Sequence, residues 1–411
     1  MSTRSGRGLT SSRERLGVYL DAVYWVDGDA VAGRVTTDRS FLLFVVEVGG
    51  SFERLVLFGR TVRDEGLADY VLPAEVELVE LPHYANLRRI ASVARVTGRT
   101  VRLFWRNLPA VDVVWLFGPH PFSATFAVLA LARRKRVVLG VRQDSVELYR
   151  RRVSGWKRVP SLAAVRFLDG AFRVLGRRVQ VTVQGRELGE RYGAPRSNVL
   201  ELAESVVRAA DIVQPEAARR DATSVDLLTV GRLETEKNPL LLVDALARLE
   251  AAEPGRFRLT WVGRGPLEAQ VTQRIQEHGL ADRVTVRSYV PFGPELLDLY
   301  RRADLFVHVS LSEGFPKVLI ESFASATPIV ATDVGGVRAA LDDGRAGLLV
   351  PPADLDALVA GIRRLADDPK LQAQFVERGL ELVQALTLEA QADRVARFIA
   401  AGAGPEPTPR E

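Results

Sequence analysis

Two stretches of this chain combine residue types that could do chemistry with a spacing that would present them to a ligand. The first runs Asp226-Leu-Leu-Thr-Val-Gly231-Arg232-Leu-Glu-Thr-Glu-Lys237-Asn238-Pro239. It reads as a strand, a glycine-containing turn and a helix start, with Asn238 as the N-cap and Pro239 at the first helical position. Arg232 and Lys237 then project beyond the carboxyl end of a strand, where open α/β sheets bind ligands. Two cations there suit a diphosphate, the guanidinium through paired hydrogen bonds and the ammonium as a point charge. Taken alone, the stretch is explained as well by two solvated cations.

The second stretch reads Ser310-Leu-Ser-Glu313-Gly314-Phe315-Pro316-Lys317-Val318-Leu-Ile-Glu321-Ser-Phe-Ala-Ser-Ala. It follows the apolar run Leu305–Val309, so Glu313 again falls at a strand's carboxyl end. Gly314 lets backbone approach a ligand closely. Pro316 marks a first helical turn, whose free N–H groups can bind an anionic oxygen. Glu321 lies more than a turn further on, beside Val318, Leu319, Ile320 and Phe323. A carboxylate in so apolar a helix is costly unless hydrogen-bonded, and vicinal hydroxyls of a ligand would supply those bonds. A plain surface helix accounts for Glu313 and accounts poorly for Glu321.

The elements that position these residues follow from the pattern of apolar runs. In the first half these are Leu16–Leu20, Arg54–Phe58, Val76–Leu81, Val111–Phe117, Arg136–Val141, Val179–Val183 and Asn198–Leu202. In the second they are Asp226–Val230, Phe257–Val262, Val284–Arg287, Leu305–Val309, Pro328–Ala331 and Gly347–Val350. Short, nearly continuous β-branched runs separated by amphipathic stretches indicate parallel strands buried on both faces. Two such series imply an α/β protein of two doubly wound Rossmann-like domains facing a cleft. The expected divisions are a disordered basic tail over 1–15, a first domain over 16–205, a second over 206–386, a helix over 387–402 capped by Thr387 and packing back toward the first domain, and a disordered tail over 403–411. The break near Val206–Ser224 is marked by Pro215 and the polar run Arg219–Ser224.

Composition narrows the classes. With 411 residues, 47% apolar and 26% charged, the chain can bury two sizeable cores. It has no cysteine, which removes disulfides, thiolate metal sites and a cysteine nucleophile. Met1–Arg15 lacks a signal-peptide core, and the longest apolar stretches, Phe41–Val46 and Phe126–Ala132, fall far short of a membrane span. A cytoplasmic protein is expected. The net charge of +5 is uneven: residues 1–205 hold 32 Lys/Arg against 21 Asp/Glu, and the remainder 24 against 30. A basic first half suits an anionic partner such as a membrane surface or a lipid phosphate, or is simply an arginine-rich solvated surface. Clusters such as Arg133–Arg136 lack interleaved aromatics, so no nucleic-acid partner is expected.

The order Gly231-Arg232-Leu-x-x-x-Lys237, Trp261-Val-Gly263-Arg-Gly265-Pro266, Glu313-Gly-Phe-Pro with Glu321 eight residues on, and Pro328-Ile-Val-Ala-Thr-Asp333-Val-Gly335-Gly336 resembles the retaining glycosyltransferases of group 1, or family four, with the two-Rossmann (GT-B) fold. The likeness is ordered over about Asp226–Pro351 and looser over the first half, which shares mainly the element order. It implies transfer of a sugar from a nucleoside-diphosphate sugar to a glycan, lipid-carrier or small-molecule acceptor. It implies retention of configuration without a covalent glycosyl intermediate, and no metal or other cofactor beyond the donor as co-substrate. Arg232 and Lys237 would hold the diphosphate and stabilise its charge as the glycosidic bond breaks, with Glu313 at the donor sugar. Gly231, Gly263, Gly314, Phe315, Pro316, Lys317 and Val318 would contact the donor, and Glu321 the ribose hydroxyls. A sugar phosphorylase, a nucleotide-sugar epimerase or an inactive sugar-binding scaffold are the alternatives.

The family usually carries a histidine after a strand of the first domain, and His120 in Gly118-Pro-His-Pro-Phe122 is the candidate. A histidine capping the next helix explains it equally. His308, inside an apolar run, reads as a core residue. Arg142, Gln143 and Asp144 follow a strand and either face the cleft or form a solvated loop. The loop 21–38 with Gly28 and Gly33 has no firm assignment, and Asp27-Gly28-Asp29 reads as a turn rather than a metal pair. The basic segment Val159–Arg178 would cover a domain with a charged outer face, or would dock peripherally on an anionic membrane such as the inner face of the cell membrane.

Overall fold

The computed structural model describes residues 12–27, 34–63, 69–84, 90–152, 158–213 and 224–402. Its internal contacts separate into two units, one comprising the chain to Leu202 with the stretch from Gln391 onward, the other Ala203–Ala390. Pro215, residues 219–223, Gly28, Asp29, Gly33 and the tail 403–411 lie outside the described residues.

In the first unit the strands are β1 (Ser12–Val26), β2 (Val35–Thr37), β3 (Phe52–Val62), β4 (Tyr70–Val71), β5 (Glu77–Leu81), β6 (Val113–Gly118), β7 (Arg136–Val141), β8 (Gln180–Gln184) and β9 (Val199–Leu202). The helices are α1 (Phe41–Gly49), α2 (Ile90–Asn107), α3 (Pro121–Ala132), α4 (Ser145–Arg152), α5 (Arg158–Gly176) and α6 (Arg186–Tyr192). The parallel order is β5-β3-β1-β6-β7-β8-β9. Strands β6 and β7 are apolar along nearly their whole length because helices cover both faces. Phe104 of α2 stacks on Phe126 of α3 at 3.8 Å between ring centroids, closing the core over the sheet.

Three expectations change here. Strand β1 begins at Ser12, so Arg13–Arg15 are strand rather than tail, and Arg15 is fixed by a two-bond ion pair to Asp112. It also runs on to Val26, with an irregularity between Tyr19 and Val23, so residues 21–26 are not loop. Its end carries β2 and, beyond it, β4, both antiparallel, which departs from the all-parallel pattern. Strands of two and three residues are too short to show a period.

The second unit is parallel throughout its described sheet, in the order β12 (Val284–Arg287), β11 (Phe257–Val262), β10 (Val225–Val230), β13 (Leu305–His308), β14 (Ile329–Thr332), β15 (Leu348–Val350). Around it lie α7 (Pro239–Ala252), α8 (Glu268–Glu277), α9 (Pro294–Arg302), α10 (Lys317–Ala324), α11 (Val337–Ala340), α12 (Leu355–Asp367) and α13 (Pro369–Ala385). Helix α14 (Leu388–Ala401) is capped by Thr387, whose hydroxyl accepts the Ala390 amide. Its end joins the first unit, where Arg136 donates to the Ile399 carbonyl at 2.8 Å. Among the described residues no helix is long and apolar enough to cross a membrane.

Candidate functional site

In a parallel sheet every strand ends on the same edge, so the loops after β10, β11, β13 and β14 of the second unit gather there. Two glycines bring them within backbone contact. Gly263, at φ +146°, sits where a Cβ would run into the Gly231 carbonyl oxygen. Gly335, at φ +49°, sits where a Cβ would run into the Glu313 carbonyl. Side chains at either position would push the loops apart.

The loop after β10 forms a short turn over Thr235–Lys237, and the Glu236 carbonyl accepts the Leu311 amide at 2.8 Å. That bond ties it to the loop after β13. Lys237 is thereby aimed at Glu313, whose Oε1 it contacts. The same oxygen accepts the Ser310 hydroxyl at 2.6 Å and lies 3.1 Å from His308 Nε2. Burial would raise the Glu313 pKa, but the His308 ring and the Lys237 ammonium outweigh it and hold the carboxyl well below its ordinary range. Glu313 is thus a fixed anion with a cation against it. His308 and Ser310, two apart at the end of a strand, project to the same side. His308 is a core residue as expected, and it also touches Glu313.

Gly314 follows, exposed, with nothing within 4 Å of where its Cβ would stand. Backbone is accessible there. Helix α10 starts at Lys317, with Pro316 at the N-cap rather than inside the first turn. Phe315 and Val318 are half-buried and Pro316 is buried. Lys317 pairs at 2.9 Å with Glu204, an almost fully buried carboxylate from the start of the unit. Glu321 is 7% exposed, and its Oε2 accepts the Tyr300 hydroxyl at 2.9 Å. Burial raises its pKa, and the Tyr300 bond and the Lys317 charge only partly oppose that. Part of the hydrogen bonding expected from a ligand therefore comes from α9.

Arg232 turns to its own loop, bonding Glu234 at 2.6 Å and Glu236 at 2.9 Å, and is half-exposed. Lys237 and Glu313 are brought together, while Arg232 is not among Glu313's partners. Asn238 takes the position before α7, but in the left-handed conformation and without a side-chain cap, so it serves as a turn residue rather than as the expected N-cap.

In the first unit His120 is buried and caps α3, its Nδ1 accepting the Phe122 amide at 3.3 Å. Nδ1 being an acceptor leaves the proton on Nε2, which faces the Tyr84 hydroxyl at 3.3 Å and Asp21 at 3.5 Å. Burial lowers its pKa, against the pull of Asp21. Asp21 also accepts the Tyr84 hydroxyl at 2.6 Å and pairs with Arg60 at 2.8 Å. Sequence reading missed this cluster because its members come from four separate stretches. Asp144 caps the start of α4 through the amides of Val146 and Glu147, and Arg142 lies over the Phe41 ring at 3.9 Å.

Residues 213–382 match the family described as glycosyl transferases group 1. The D-inositol 3-phosphate glycosyltransferase of Paenarthrobacter aurescens is 31% identical over 252 residues, covering 57% of this chain and 60% of that protein. Other curated relatives are matched over about half their length or less. Among solved structures, the sucrose-phosphate synthase of Thermosynechococcus elongatus superposes with a TM-score of 0.68 at 19% identity, covering 94% of this chain and 98% of that one. Anabaena Alr3699/HepE, solved with UDP-glucose, gives 0.65 at 14% identity over 94% and 100%. The likeness to the group 1 glycosyl transferases thus lies in residues 213–382, and the two mainly parallel-sheet units have the Rossmann-like GT-B fold of these solved structures.

Proposed function

We propose that the protein transfers a sugar from a nucleoside-diphosphate sugar to a glycan, lipid-carrier or small-molecule acceptor, with retention of configuration and without a metal. One observation carries the reading: Glu313, kept ionised between Lys237, Ser310 and His308, stands beside the accessible backbone of Gly314 at the carboxyl edge of the sheet. The donor diphosphate takes Lys237 and Arg232 as its cations, replacing carboxylate partners by phosphate oxygens. As the bond from the sugar to the diphosphate breaks, charge develops on the leaving oxygen, and a fixed ammonium stabilises it most at that moment. The same work is what a metal does in other phosphate chemistry, which is why two cations support a metal-free reaction. Glu313 and the Gly314–Val318 backbone hold the sugar and phosphate, and Glu321, steadied by Tyr300, accepts the ribose hydroxyls.

The neighbour solved with UDP-glucose makes that compound the first donor to try. Incubation of the purified protein with the nucleotide sugar in EDTA, followed at early times by proton NMR of the released or transferred sugar, tests both finer points. Release of the donor's own anomer with EDTA present supports the reading. An inverted anomer, or turnover abolished by EDTA and restored by a divalent cation, overturns it.

A further inference from the structure

Helices α2, α3 and α5 of the first unit form a connected layer, α3 touching both of the others. Their outward surface is unusual in charge and in apolarity together. Residues 90–178 hold 18 Lys/Arg against only 4 Asp/Glu. All four acids are engaged: Asp112 with Arg15, Asp144 and Asp169 with Arg191, and Glu147 with Arg150. Asp169, the single acid on the three helices, is turned inward against Tyr192. On α2, Arg95, Arg99, Arg102 and Arg106 are all exposed. Their spacing of four, three and four puts them on one helical face, and no described carboxylate pairs with any of them.

The apolar part is on the neighbouring helices. On α5 the inward stripe is Val165, Asp169, Phe172 and Gly176. Phe167 and Val174, seven residues apart, share the opposite face and are 75% and 59% exposed, with Val159 at 76% on the same helix. Arg166 and Arg173 repeat at the same interval beside them. On α3, Val128 and Leu131 are 64% and 41% exposed. A side chain as large as Phe167 standing almost free in water is the reverse of what a solvated helix face shows. The ordinary domain-covering reading of Val159–Arg178 explains Val165 and Phe172, and leaves Phe167, Val174 and Val159 unexplained.

We propose that this layer is a docking surface for an anionic lipid bilayer, with Phe167, Val174 and Val159 entering the acyl boundary and the arginine row of α2 lying over the phosphates. Charge complementarity selects an anionic partner. The exposed aliphatic side chains select lipid over single-stranded nucleic acid, which would need a row of free aromatic faces rather than the single ring of Phe167. Trp105 does not offer one, because the Arg133 guanidinium covers its ring at 3.9 Å. The surface lies wholly within one unit, and the inference is independent of the transfer reaction.

Co-sedimentation of the full chain with phosphatidylcholine vesicles, with and without phosphatidylglycerol, tests it at low and high salt. Binding is expected only with the anionic lipid, and is expected to weaken steeply with salt. Arg95→Ser, Arg99→Ser, Arg102→Ser and Arg106→Ser together should lower affinity on the order of a thousandfold at low salt. Phe167→Asp with Val174→Asp should lower it at least ~10-fold without moving the melting temperature, since both residues are exposed. Absence of binding to anionic vesicles overturns the proposal, as does equal binding by both variants. Preferential binding of duplex or single-stranded nucleic acid, or self-association that the Phe167/Val174 variant abolishes without any vesicle binding, overturns it as well.

Discussion

Lys237→Met is the substitution that separates a donor site from an incidental ion pair. The Lys237 and Glu313 side chains are 21% and 11% exposed, so their attraction is poorly screened. The methionine keeps the length and apolar stem of the lysine and removes the charge. Glu313 retains Ser310 and His308, so the loop keeps two of its three polar ties. Charge-assisted hydrogen bonds contribute about 1.5–3 kcal/mol each. If that energy is expressed on the leaving diphosphate, turnover falls roughly 10- to 150-fold. The assay is single-turnover transfer or donor hydrolysis under saturating nucleotide sugar, with Kd for the free nucleotide measured beside it. A large fall in rate with a smaller loss of nucleotide affinity means that Lys237 acts mainly as charge develops. Pairing it with Glu313→Gln in a double-mutant cycle should give a coupling of about 1 kcal/mol or more, because the two groups touch. A folded Lys237→Met protein with wild-type rate and affinity would refute the reasoning.

Five further substitutions have defined outcomes. Tyr300→Phe removes the hydroxyl that bonds buried Glu321, so it should cost about 1–3 kcal/mol in urea unfolding and weaken nucleotide binding; unchanged values for both would remove Tyr300 from the site. Glu321→Gln tests the raised pKa: burial makes ionisation of the folded protein costly, so wild type should lose stability relative to the variant as pH climbs above about 4.3, and a wild type that holds or gains melting temperature relative to the variant as pH rises would contradict this. Gly263→Ala should cost about 3 kcal/mol or more through backbone collision and positive φ, whereas Gly314→Ala should melt like wild type and bind donor less well. Asp112 is held at about 2 by its hydrogen bond from Arg15, a depressed pKa whose stabilisation is present near neutrality and lost as pH falls through the folded value. With the pair about a third exposed, Asp112→Asn should cost about 1 kcal/mol at pH 7, and the gap in thermal unfolding should close as pH drops from about 4 toward 2.

Much of this fold is legible in the amino-acid sequence, because buried parallel strands write themselves as continuous apolar runs. Arg136–Val141, Phe257–Val262 and Val284–Arg287 are strands with those very bounds. What escapes reading is set by length and by distance along the chain. Strands β2 and β4 are shorter than any period, and the irregularity that carries β1 on to Val26 leaves no mark in composition. The second sheet's loop residues Lys237, Glu313 and Gly314 stand out as polar or glycine punctuation after apolar runs. Their supports do not: Tyr300 comes from α9, 21 residues before Glu321, and Glu204 lies at the opening of the unit, far from Lys317 in sequence. Ser310 and His308 were within reach, since alternate residues at a strand end share a side. The Asp21, Arg60, Tyr84 and His120 cluster was not, because only the sheet order brings those four stretches together.

The most direct test of a donor site on the second unit is the melting temperature of the full chain against UDP, GDP, ADP and their common sugars, with and without EDTA. A nucleotide at 100 times its Kd adds about 2.7 kcal/mol, a rise of a few degrees. The account predicts that one nucleotide class stabilises the protein, that EDTA leaves the shift intact, and that Lys237→Met and Glu321→Gln each diminish it. No shift with any nucleotide or nucleotide sugar, or a shift that both variants retain in full, would contradict it.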